Sequence, residues 1–410
     1  MRRIVITGMG VMSPLGLDVD TVWNNLVNGN SGITSIDTFD VTNFKTRIAG
    51  IVRGFDAEVR WGRKEARKLD RFVQLAMAAS EQALENSQLN LDKMDRERIG
   101  VYVGSGIGGI QTFIENVNLL NERGPGRVSP SLVPMIISNA AAAQISIRLG
   151  ALGPSLSPVT ACSIGNSSIG EAFNTIRNGD ADVIFAGGAE AAITPLSLAS
   201  FGNAKALSTN SEPSLASRPF DAQRDGFVMS EGAGVLVLES LEHAVKRNAP
   251  ILCEVIGYGA SSDAYHMVAT HPEGLGAYIA MRNALRKANI STEEVDVISA
   301  HATSTPLGDL SETLAIKKLF GQRAYQIPVT ANKSMLGHML GAAGGVEAIA
   351  LVKSLMEDVI PPTINLSHPD PECDLDYVSE DARKKELNIG ISNSFGFGGH
   401  NSAIVLKKFK

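Results

Sequence analysis

The sequence is poor in cysteine and has no excess of basic charge. It contains three cysteines, Cys162, Cys253 and Cys373, in 410 residues, and their odd number and wide spacing suit neither a disulfide framework nor a zinc site. Lysine and arginine total 37 against 43 acidic residues, a net charge of −6. No global basic field exists to hold nucleic acid or an anionic membrane surface. A reducing compartment fits best, and an acidic partner would need a local basic patch.

Long hydrophobic runs are also absent. The first apolar run is interrupted by Thr7 and Gly8 before it reaches signal-peptide length, and no apolar stretch approaches the ~20 residues needed to cross a bilayer. Hydrophobic residues make up 44% and charged residues 20% of the chain, as is usual in globular proteins. The sequence predicts a soluble protein without membrane insertion, either cytoplasmic or the mature form of an organellar protein.

Short β-branched runs alternate with helical patterns, which predicts α/β layers. The predicted strands are residues 3–7, 100–103, 182–186, 234–238, 255–257, 295–299, 329–331, 388–392 and 402–406. The clearest predicted helices are residues 71–87, 167–178, 274–288 and 344–356. Residues 116–131 and 207–225 are rich in Gly, Pro, Ser and charge, which favours long surface or active-site loops.

A short internal repeat indicates how the predicted strands and helices are organised. The sequence Pro-Val-Thr-Ala occurs at residues 158–161 and again at 328–331, each time before an alanine- and glycine-rich helical pattern. A chain of this length exceeds the ~250–300 residues that one core can serve. We therefore expect a duplicated α/β unit, with one half at residues 1–250 and the other at 251–410.

Glycine is in excess, at 40 residues, so many positions should need tight turns or close backbone approach. Residues 104–109 formally match the Gly-x-Gly-x-x-Gly pattern of dinucleotide sites. Such a site also needs a helix, a second strand and an acidic residue ~20 positions on, whereas here a loop-like Gly-Pro-Gly follows at 124–126. A tight turn beside a pocket is the better interpretation.

Cys162 is the most informative single residue. It lies between a strand-like segment at 157–161 and a helical pattern at 164–176, where a side chain projects from the sheet edge as at a nucleophile elbow. Free N–H groups and the helix dipole at such a position are expected to lower the thiol pKa. The alternative is a small buried hydrophobe, which is the interpretation kept for Cys253 and Cys373.

A nucleophilic cysteine that transfers acyl groups needs a proton carrier and an oxyanion site. His301 and His338 both stand at predicted strand-to-helix junctions, where α/β sheets place ligands. The other histidines have loop or helix contexts that favour structural or solvent-facing roles. No metal-ligand spacing occurs among these residues, so we expect no metal site.

Several motifs in order make the chain resemble the β-ketoacyl-[acyl-carrier-protein] synthases of the thiolase-like superfamily, closest to the type II enzymes of fatty-acid synthesis. The motifs are Thr-Ala-Cys at 160–162, His-Ala-Thr-Ser-Thr at 301–305, Lys-Ser-Met-Leu-Gly-His at 333–338, Asn-Ser-Phe-Gly-Phe-Gly-Gly at 393–399, Gly-Gly-Ala-Glu at 187–190 and the arginine-containing motifs at 218–221 and 224–227. The resemblance covers nearly the whole chain. It implies two thiolase-type βαβαβαββ halves in a layered α-β-α-β-α core, and a homodimer.

The resemblance also implies the chemistry. Cys162 takes an acyl chain from an acyl carrier protein as a thioester, and malonyl carrier protein then loses CO2 and attacks it, which lengthens the chain by two carbons. His301 and His338 stabilise the enolate, and the backbone N–H groups of Cys162 and Phe397 form the oxyanion hole. The enzyme binds no cofactor of its own. The phosphopantetheine arm of the carrier protein presents the substrates.

The remaining implied roles are supporting ones. Lys333 adds positive charge and Glu312 balances or orients it. Thr303 and Thr305 hold the phosphopantetheine arm, Phe397 gates the acyl and malonyl pockets, and Ile107 lines the acyl pocket in a way that suggests medium to long chains. The sequence departs from the family pattern in two places, because Ala302 replaces the usual glycine and Asn332 the usual threonine or serine.

Acyl carrier proteins are strongly acidic, and residues 60–71 carry six basic residues against two acidic ones. Lys64, Arg67 and Lys68 have the spacing of one helix face, so we predict that they dock the carrier. An ordinary solvated face is the alternative. Three other functions stay open: a polyketide or specialised ketosynthase, a thiolase or hydrolase that uses CoA, and a non-catalytic chain-length factor, against which the retention of Cys162 argues.

Overall fold

The computed structural model describes residues 2–379 and 381–410. The strands are β1 (Ile4–Met12), β2 (Ile33–Ser35), β3 (Ile48–Gly50), β4 (Ile99–Gly104), β5 (Ser155–Leu156), β6 (Val183–Glu190), β7 (Gly232–Ser240), β8 (Cys253–Ser262), β9 (Val297–Ser299), β10 (Val329–Thr330), β11 (Val359–Ile360), β12 (Arg383–Lys384), β13 (Ile389–Gly396) and β14 (His400–Lys408). Each predicted strand has a counterpart among them. The core strands β1, β6 and β7 are buried along their whole length, as expected of strands covered on both faces.

Each of the four predicted helices has a counterpart in the structure. They are α1 (Val19–Val27), α2 (Ala57–Trp61), α3 (Arg63–Ala66), α4 (Arg71–Ser87), α5 (Ile110–Arg123), α6 (Leu132–Ile136), α7 (Ala140–Leu149), α8 (Ile164–Asn178), α9 (Pro195–Asn203), α10 (Pro213–Ala216), α11 (Leu241–Lys246), α12 (Leu275–Ala288), α13 (Pro306–Phe320), α14 (Lys333–Leu336) and α15 (Ala343–Glu357). The α4 helix has the predicted bounds, because Asp70 caps its first turn by accepting from the Phe72 N–H and Gln88 ends it in the left-handed conformation.

Ten strands form one mixed sheet in the order β10-β9-β13-β14-β8-β1-β7-β6-β4-β5. The first half contributes five strands to this sheet, which lie in the order β1-β7-β6-β4-β5, that is, first, fifth, fourth, second and third along the chain. The second half also contributes five strands, and they lie in the same order, β8-β14-β13-β9-β10. The pairings also repeat, because in both halves the second strand is parallel to the third and fourth, and the fifth is antiparallel to the first and fourth. The predicted duplication of a βαβαβαββ unit is confirmed.

Three large apolar clusters separate five layers of structure. One lies between α4, α7 and the first half of the sheet, and another lies between α12, α13 and the second half. The third joins the inner faces of both halves through α8 and α15. A Cβ on Gly165 would lie 2.3 Å from the backbone nitrogen of Gly345, so the two central helices need glycine where they cross. Their close approach brings the start of α8, and hence Cys162, near the segment that precedes α15.

Two details of the sequence prediction are wrong. Residues 116–123 belong to α5 rather than to a loop, and residues 157–161 lie outside any strand, because β5 ends at Leu156. The helix was missed because its pattern is inverted: Thr112 and Asn116 are its buried residues, while Val117 and Leu120 are exposed.

The connection between the halves runs through α11, and β8 begins at Cys253. The boundary predicted at residue 250 falls in this connection and stays a prediction. Among the described residues, no helix is both long enough and apolar enough to span a membrane.

Candidate active site

One cavity of about 530 Å³ brings together most of the predicted site residues. It lies at the strand ends of both halves, and its lining includes Cys162, His301, His338, Phe397, Ile107, Thr303 and Thr305. Residues more than 230 positions apart in the sequence therefore face one cavity. The thiol, the imidazoles and the hydroxyl groups can act on the same molecule.

Cys162 lies in a tight turn that leads into α8. A single 3₁₀ turn spans Ala161–Ser163, and Ala161 has a φ of +52°, a strained conformation for a residue with a Cβ. On the other side of the turn, a Cβ on Gly396 would lie 3.0 Å from the Cys162 nitrogen. The end of β13 can approach Cys162 this closely because residue 396 is glycine.

The predicted fall in the pKa of Cys162 is wrong for the free enzyme. Burial raises the pKa of this thiol to about 12, and the negative charge of Glu190 adds to the rise. The positive charge of Lys333 and the N–H groups of Phe397 and Cys162, which point at the sulfur, act in the opposite direction. Loss of hydration outweighs these contributions, so the thiol is protonated at neutral pH and needs a proton acceptor to become a nucleophile.

The backbone around His301 is held by a carboxylate. Glu312 accepts hydrogen bonds from the His301 N–H at 3.0 Å, the Ala302 N–H at 2.8 Å and the Asn393 side chain at 3.0 Å. Because β9 ends at Ser299, these bonds continue the ordered backbone into the loop that carries the imidazole.

His338 is held by the other half of the molecule. Its N–H donates to the Val228 carbonyl at 2.7 Å, and its carbonyl accepts from the Ser230 N–H at 2.9 Å. The ring packs edge-on against Phe227, with the centroids 5.2 Å apart. Backbone and ring are therefore both oriented before a substrate arrives.

The two imidazoles are neighbours, and both are neutral. Their ring centroids are 5.4 Å apart and the rings are nearly perpendicular. Burial, followed by the positive charge of Lys333, holds the pKa values of His301 and His338 well below the usual range. Lys333 Nζ lies 3.4 Å from Nδ1 of His301. Because an ammonium group only donates, Nδ1 accepts and the His301 proton is on Nε2.

Glu347, rather than Glu312, is the charge partner of Lys333. The Lys333 ammonium and the Glu347 carboxylate form a salt bridge, with both side chains 1% exposed. Burial raises the pKa of Glu347 to about 7, against the opposing effect of Lys333. The positive charge of Lys333 also acts on the pKa of Glu312, but less than the hydrogen bonds of Glu312 do. The prediction that Glu312 balances Lys333 is thus corrected in part, because the salt bridge is made by Glu347 and Glu312 mainly holds the backbone of the His301 loop.

The two departures from the family pattern have distinct structural settings. Ala302 has a φ of +29°, in the left-handed region where the usual glycine carries no Cβ penalty. Asn332 is buried, and its Oδ1 accepts no hydrogen bond from the residues that the structure describes. Neither side chain replaces a reacting group.

The loop after His301 places two hydroxyl groups side by side in the cavity. Thr303 Oγ1 and Thr305 Oγ1 are 3.0 Å apart. Arg224, with a side chain 3% exposed, donates to the carbonyls of Thr305 at 3.2 Å and Pro306 at 2.7 Å. The motif at 224–227 gives no indication of this role in the sequence, because Arg224 comes near Thr305 and Pro306 only in the folded chain.

Phe397 and Ile107 both line the cavity. The Phe397 ring is 6.3 Å from that of Phe201, and Gly398 and Gly399 follow it with φ values of +79° and +73°. Two consecutive left-handed residues are available to glycine at little cost, so the segment can hold Phe397 at the cavity wall.

The predicted docking residues do not share one helix face. The basic segment is divided between α2 and α3 by Gly62, with a φ of +80°, and Arg67 caps the end of the four-residue α3. Arg71 is turned inward to a salt bridge with Glu231. Four basic side chains are nonetheless exposed and adjacent in sequence, namely Arg63, Lys64, Arg67 and Lys68, which we call the basic patch.

A strained thiol turn between two thiolase-like halves, facing two neutral imidazoles, defines a condensing enzyme. Residues 1–244 match the family model "Beta-ketoacyl synthase, N-terminal domain", and residues 252–367 match "Beta-ketoacyl synthase, C-terminal domain". The chain belongs to the β-ketoacyl synthase family. Condensation is thus its reaction class, and it is an acyltransferase.

Full-length relatives are more specific. The chain is 48% identical over 409 residues to "3-oxoacyl-[acyl-carrier-protein] synthase 2" of Staphylococcus aureus (strain COL), covering 100% of this chain and 99% of that one. It is 47% identical over 410 residues to the protein of the same name in Synechocystis sp., with the same coverage.

Solved structures agree with this fold. A β-ketoacyl synthase from Burkholderia phymatum superposes with a TM-score of 0.93 at 35% identity, with 100% of both chains covered. A type II polyketide ketosynthase in complex with its acyl carrier protein superposes with a TM-score of 0.92 at 34% identity, with the same coverage.

Proposed function

We propose that this chain is a 3-oxoacyl-[acyl-carrier-protein] synthase that elongates fatty acyl chains by two carbons. In the first step the acyl carbon moves from the carrier thiol to the sulfur of Cys162, and the free carrier thiol leaves. Malonyl carrier protein then binds, its carboxylate leaves as CO2, and the resulting carbanion attacks the acyl carbon. This releases Cys162 as a thiolate, which takes up one proton from water to restore the thiol. The observation that carries this proposal is that Cys162 and the two neutral histidines share one cavity.

The neutral state of the histidines suits the decarboxylation step. Loss of CO2 builds negative charge on the malonyl thioester oxygen, and an N–H donor aimed at that oxygen stabilises it without a prior proton transfer. His301 supplies such a donor at Nε2 because Lys333 occupies its Nδ1 side. The Lys333–Glu347 salt bridge keeps the ammonium at that position.

The acyl-transfer step uses the other side of the cavity. The N–H groups of Cys162 and Phe397 point toward the sulfur, so they are placed to receive the thioester oxygen once the acyl group is bound. The proton that the Cys162 thiol loses is taken up by the sulfur of the departing carrier thiol. Thr303 and Thr305 are placed to accept the polar groups of the phosphopantetheine arm, and Phe397 separates the two substrate pockets.

The direct test uses acyl carrier proteins loaded with saturated acyl chains of several lengths, together with malonyl carrier protein. We expect an acyl adduct on the intact enzyme and, with malonyl carrier protein, a product longer by two carbons. Mass spectrometry of the enzyme and of the carrier would show both. Turnover of acyl-CoA but not of acyl carrier protein would instead indicate a thiolase or hydrolase.

A specialised ketosynthase is the second candidate. The support for it is the close superposition on the ketosynthase of a type II polyketide synthase. The lower identity to that protein, 34% against 48% for the S. aureus relative, favours the fatty-acid role. If the enzyme repeatedly extended a β-keto chain without reduction in the same assay, the specialised ketosynthase would become the favoured function.

The basic patch supports docking of an acidic carrier protein. Arg63 and Arg67 make long ion pairs with the exposed Glu58, at 4.0 Å and 3.9 Å. Lys68 forms an exposed pair with Glu65 at 2.7 Å. Exposed pairs of this kind contribute little to stability, so these cations can exchange partners. An acidic carrier helix would gain from long-range attraction to the patch despite the negative net charge of the enzyme.

Reversing two charges of the patch should weaken the carrier interaction. We expect Lys64→Glu/Arg67→Glu to raise KM for acyl carrier substrates about tenfold at low salt, because docking through exposed charges acts mainly on encounter, and the difference should shrink as salt increases. Steady-state kinetics at several ionic strengths measure this. The control Lys93→Glu/Lys246→Glu makes the same charge change on exposed residues beyond the far end of α4. Equal KM values at low salt for the two double variants would sink the docking assignment.

A homodimer is the assembly that the exposed surface favours. The outward residues of α5 include Phe113, Val117 and Leu120, at 43%, 39% and 45% exposure. Leu156, on the edge strand β5, and Val159 beside it are also exposed, at 45% and 54%. Exposed apolar side chains on α5 and the unpaired edge of β5 are both features that usually pack against another surface. A second copy of the chain provides such a surface by symmetry. Light scattering should give twice the chain mass of 43.4 kDa. The cytoplasmic location stays a prediction.

A further inference from the structure

Glu190 is a buried acidic residue at the end of β6 that the condensation chemistry leaves without a role. Its relative exposure is 0%, yet it lines the same cavity as Cys162. Burying a carboxylate is costly unless hydrogen bonds compensate it, and burial raises the pKa of Glu190 accordingly. A residue kept at such a cost calls for a physical reason.

The carboxylate of Glu190 joins two separate segments of the cavity wall. It accepts from the Ser105 hydroxyl at 2.7 Å, the Gly106 N–H at 2.9 Å and the Ile107 N–H at 3.1 Å. It also accepts from the Gly341 N–H at 3.1 Å. All four donors are neutral, and they come from the turn after β4 and from the turn that follows His338.

The glycines on both sides show how close this approach is. A Cβ on Gly106 would lie 3.0 Å from Glu190 Oε2, and one on Gly341 would lie 2.9 Å from the same atom. Ser105 extends the contact, because its hydroxyl oxygen also accepts from the Gly108 N–H at 3.0 Å. The whole turn that presents Ile107 to the cavity is therefore held through one carboxylate.

We propose that Glu190 is a positioning residue that sets the spacing between the acyl-pocket wall at Ile107 and the turn after His338, and thereby the acyl chain lengths that Cys162 accepts. This inference rests on the role proposed above for Ile107 as part of the acyl pocket. A carboxylate suits the task because its two oxygens only accept, so four donors from two segments can converge on it. A neutral amide of the same shape offers one accepting oxygen and turns an NH₂ group toward the remaining donors.

The test is Glu190→Gln, assayed with short, medium and long saturated acyl carrier thioesters. Leaving buried N–H groups without an acceptor displaces the segment that carries them, so the ratio of kcat/KM for long over short chains should change about tenfold. A second readout is the pH dependence of Cys162 alkylation by iodoacetamide. The charges that act on this thiol are those of Lys333 and Glu190, so loss of the negative charge should move the alkylation midpoint to lower pH.

Two further variants make the result specific. Glu239→Gln is the matched control, because Glu239 is equally buried but contacts Thr7 and Arg247 outside the cavity. It should lower stability without changing the chain-length profile or the alkylation midpoint. Ser105→Ala removes one donor to Glu190 and should shift the chain-length profile in the same direction by less, which keeps the proposal testable if Glu190→Gln fails to fold.

The outcomes separate this inference from the assignment on which it rests. An unchanged chain-length profile in folded Glu190→Gln, or in Ser105→Ala if the first variant does not fold, overturns the role of Glu190. Ile107→Phe tests the acyl pocket itself and should exclude longer chains. If Ile107→Phe leaves the profile unchanged, the pocket assignment fails, whatever Glu190→Gln shows.

Discussion

Replacing Cys162 by alanine should abolish both the acyl-enzyme adduct and condensation. In the proposed mechanism the sulfur is the nucleophile that holds the acyl chain, and loss of a covalent nucleophile costs at least about 10⁴-fold in rate. Decarboxylation of malonyl carrier protein should persist, because His301, His338 and Lys333 keep their contacts. Intact-mass measurement of the enzyme and CO2 release from malonyl carrier protein follow the two reactions separately.

The other two cysteines provide the control. Cys253 and Cys373 are buried outside the cavity, so Cys253→Ala and Cys373→Ala should still be acylated, with at most a modest loss of stability. An acyl adduct that forms on Cys162→Ala would place the nucleophile elsewhere and overturn the mechanism.

Replacing either cavity histidine by alanine should separate the two half-reactions in the opposite sense. His301→Ala and His338→Ala should still form the acyl adduct at Cys162 but decarboxylate malonyl carrier protein about 10²–10³-fold more slowly, the usual cost of removing one oxyanion donor. The pKa values of both imidazoles lie well below the usual range. The imidazoles themselves should therefore cause no pH dependence of this loss from pH 6 to 8, since neither ring changes charge there.

Glutamine variants distinguish a hydrogen-bond donor from a proton acceptor. The side-chain amide of His338→Gln can still donate an N–H but cannot accept a proton as imidazole does. It should recover part of the decarboxylation that His338→Ala loses. His368→Ala, at an exposed position outside the cavity, should behave as wild type. Equal losses of acylation and decarboxylation in the alanine variants would contradict separate roles.

Local sequence predicted the regular elements well because their signals are local. The α4 helix has a capping aspartate before its apolar spacing begins, and the core strands are continuous apolar runs. The prediction was wrong for α5, where the surroundings reverse the usual burial of apolar residues and exposure of polar ones. The polar residues Thr112 and Asn116 of α5 face inward while Val117 faces outward. The sequence of this segment contains no local signal that its apolar face packs against another surface.

The site shows the same division. The thiol turn, both histidines and Lys333 were identified from motifs, because each motif is a short stretch of chain with its own conformational demand. Their pairing was not. Glu347 rather than Glu312 meets Lys333, since α15 and the His301 loop are brought together only by packing. The predicted fall in the Cys162 pKa failed for a related reason: the helix N-terminus is visible in the sequence, but the burial that outweighs it is not.

By itself, the sequence determined the α/β class, the duplicated halves and the residues that we propose to react. Composition, periodicity and motif order carry that information, and each is read along the chain. The tertiary structure decided which charges pair, that the imidazoles are neutral, that the basic segment is two short helices, and that Glu190 joins two cavity walls. These are properties of distance and desolvation between segments far apart in sequence, and such distances exist only once the chain has folded.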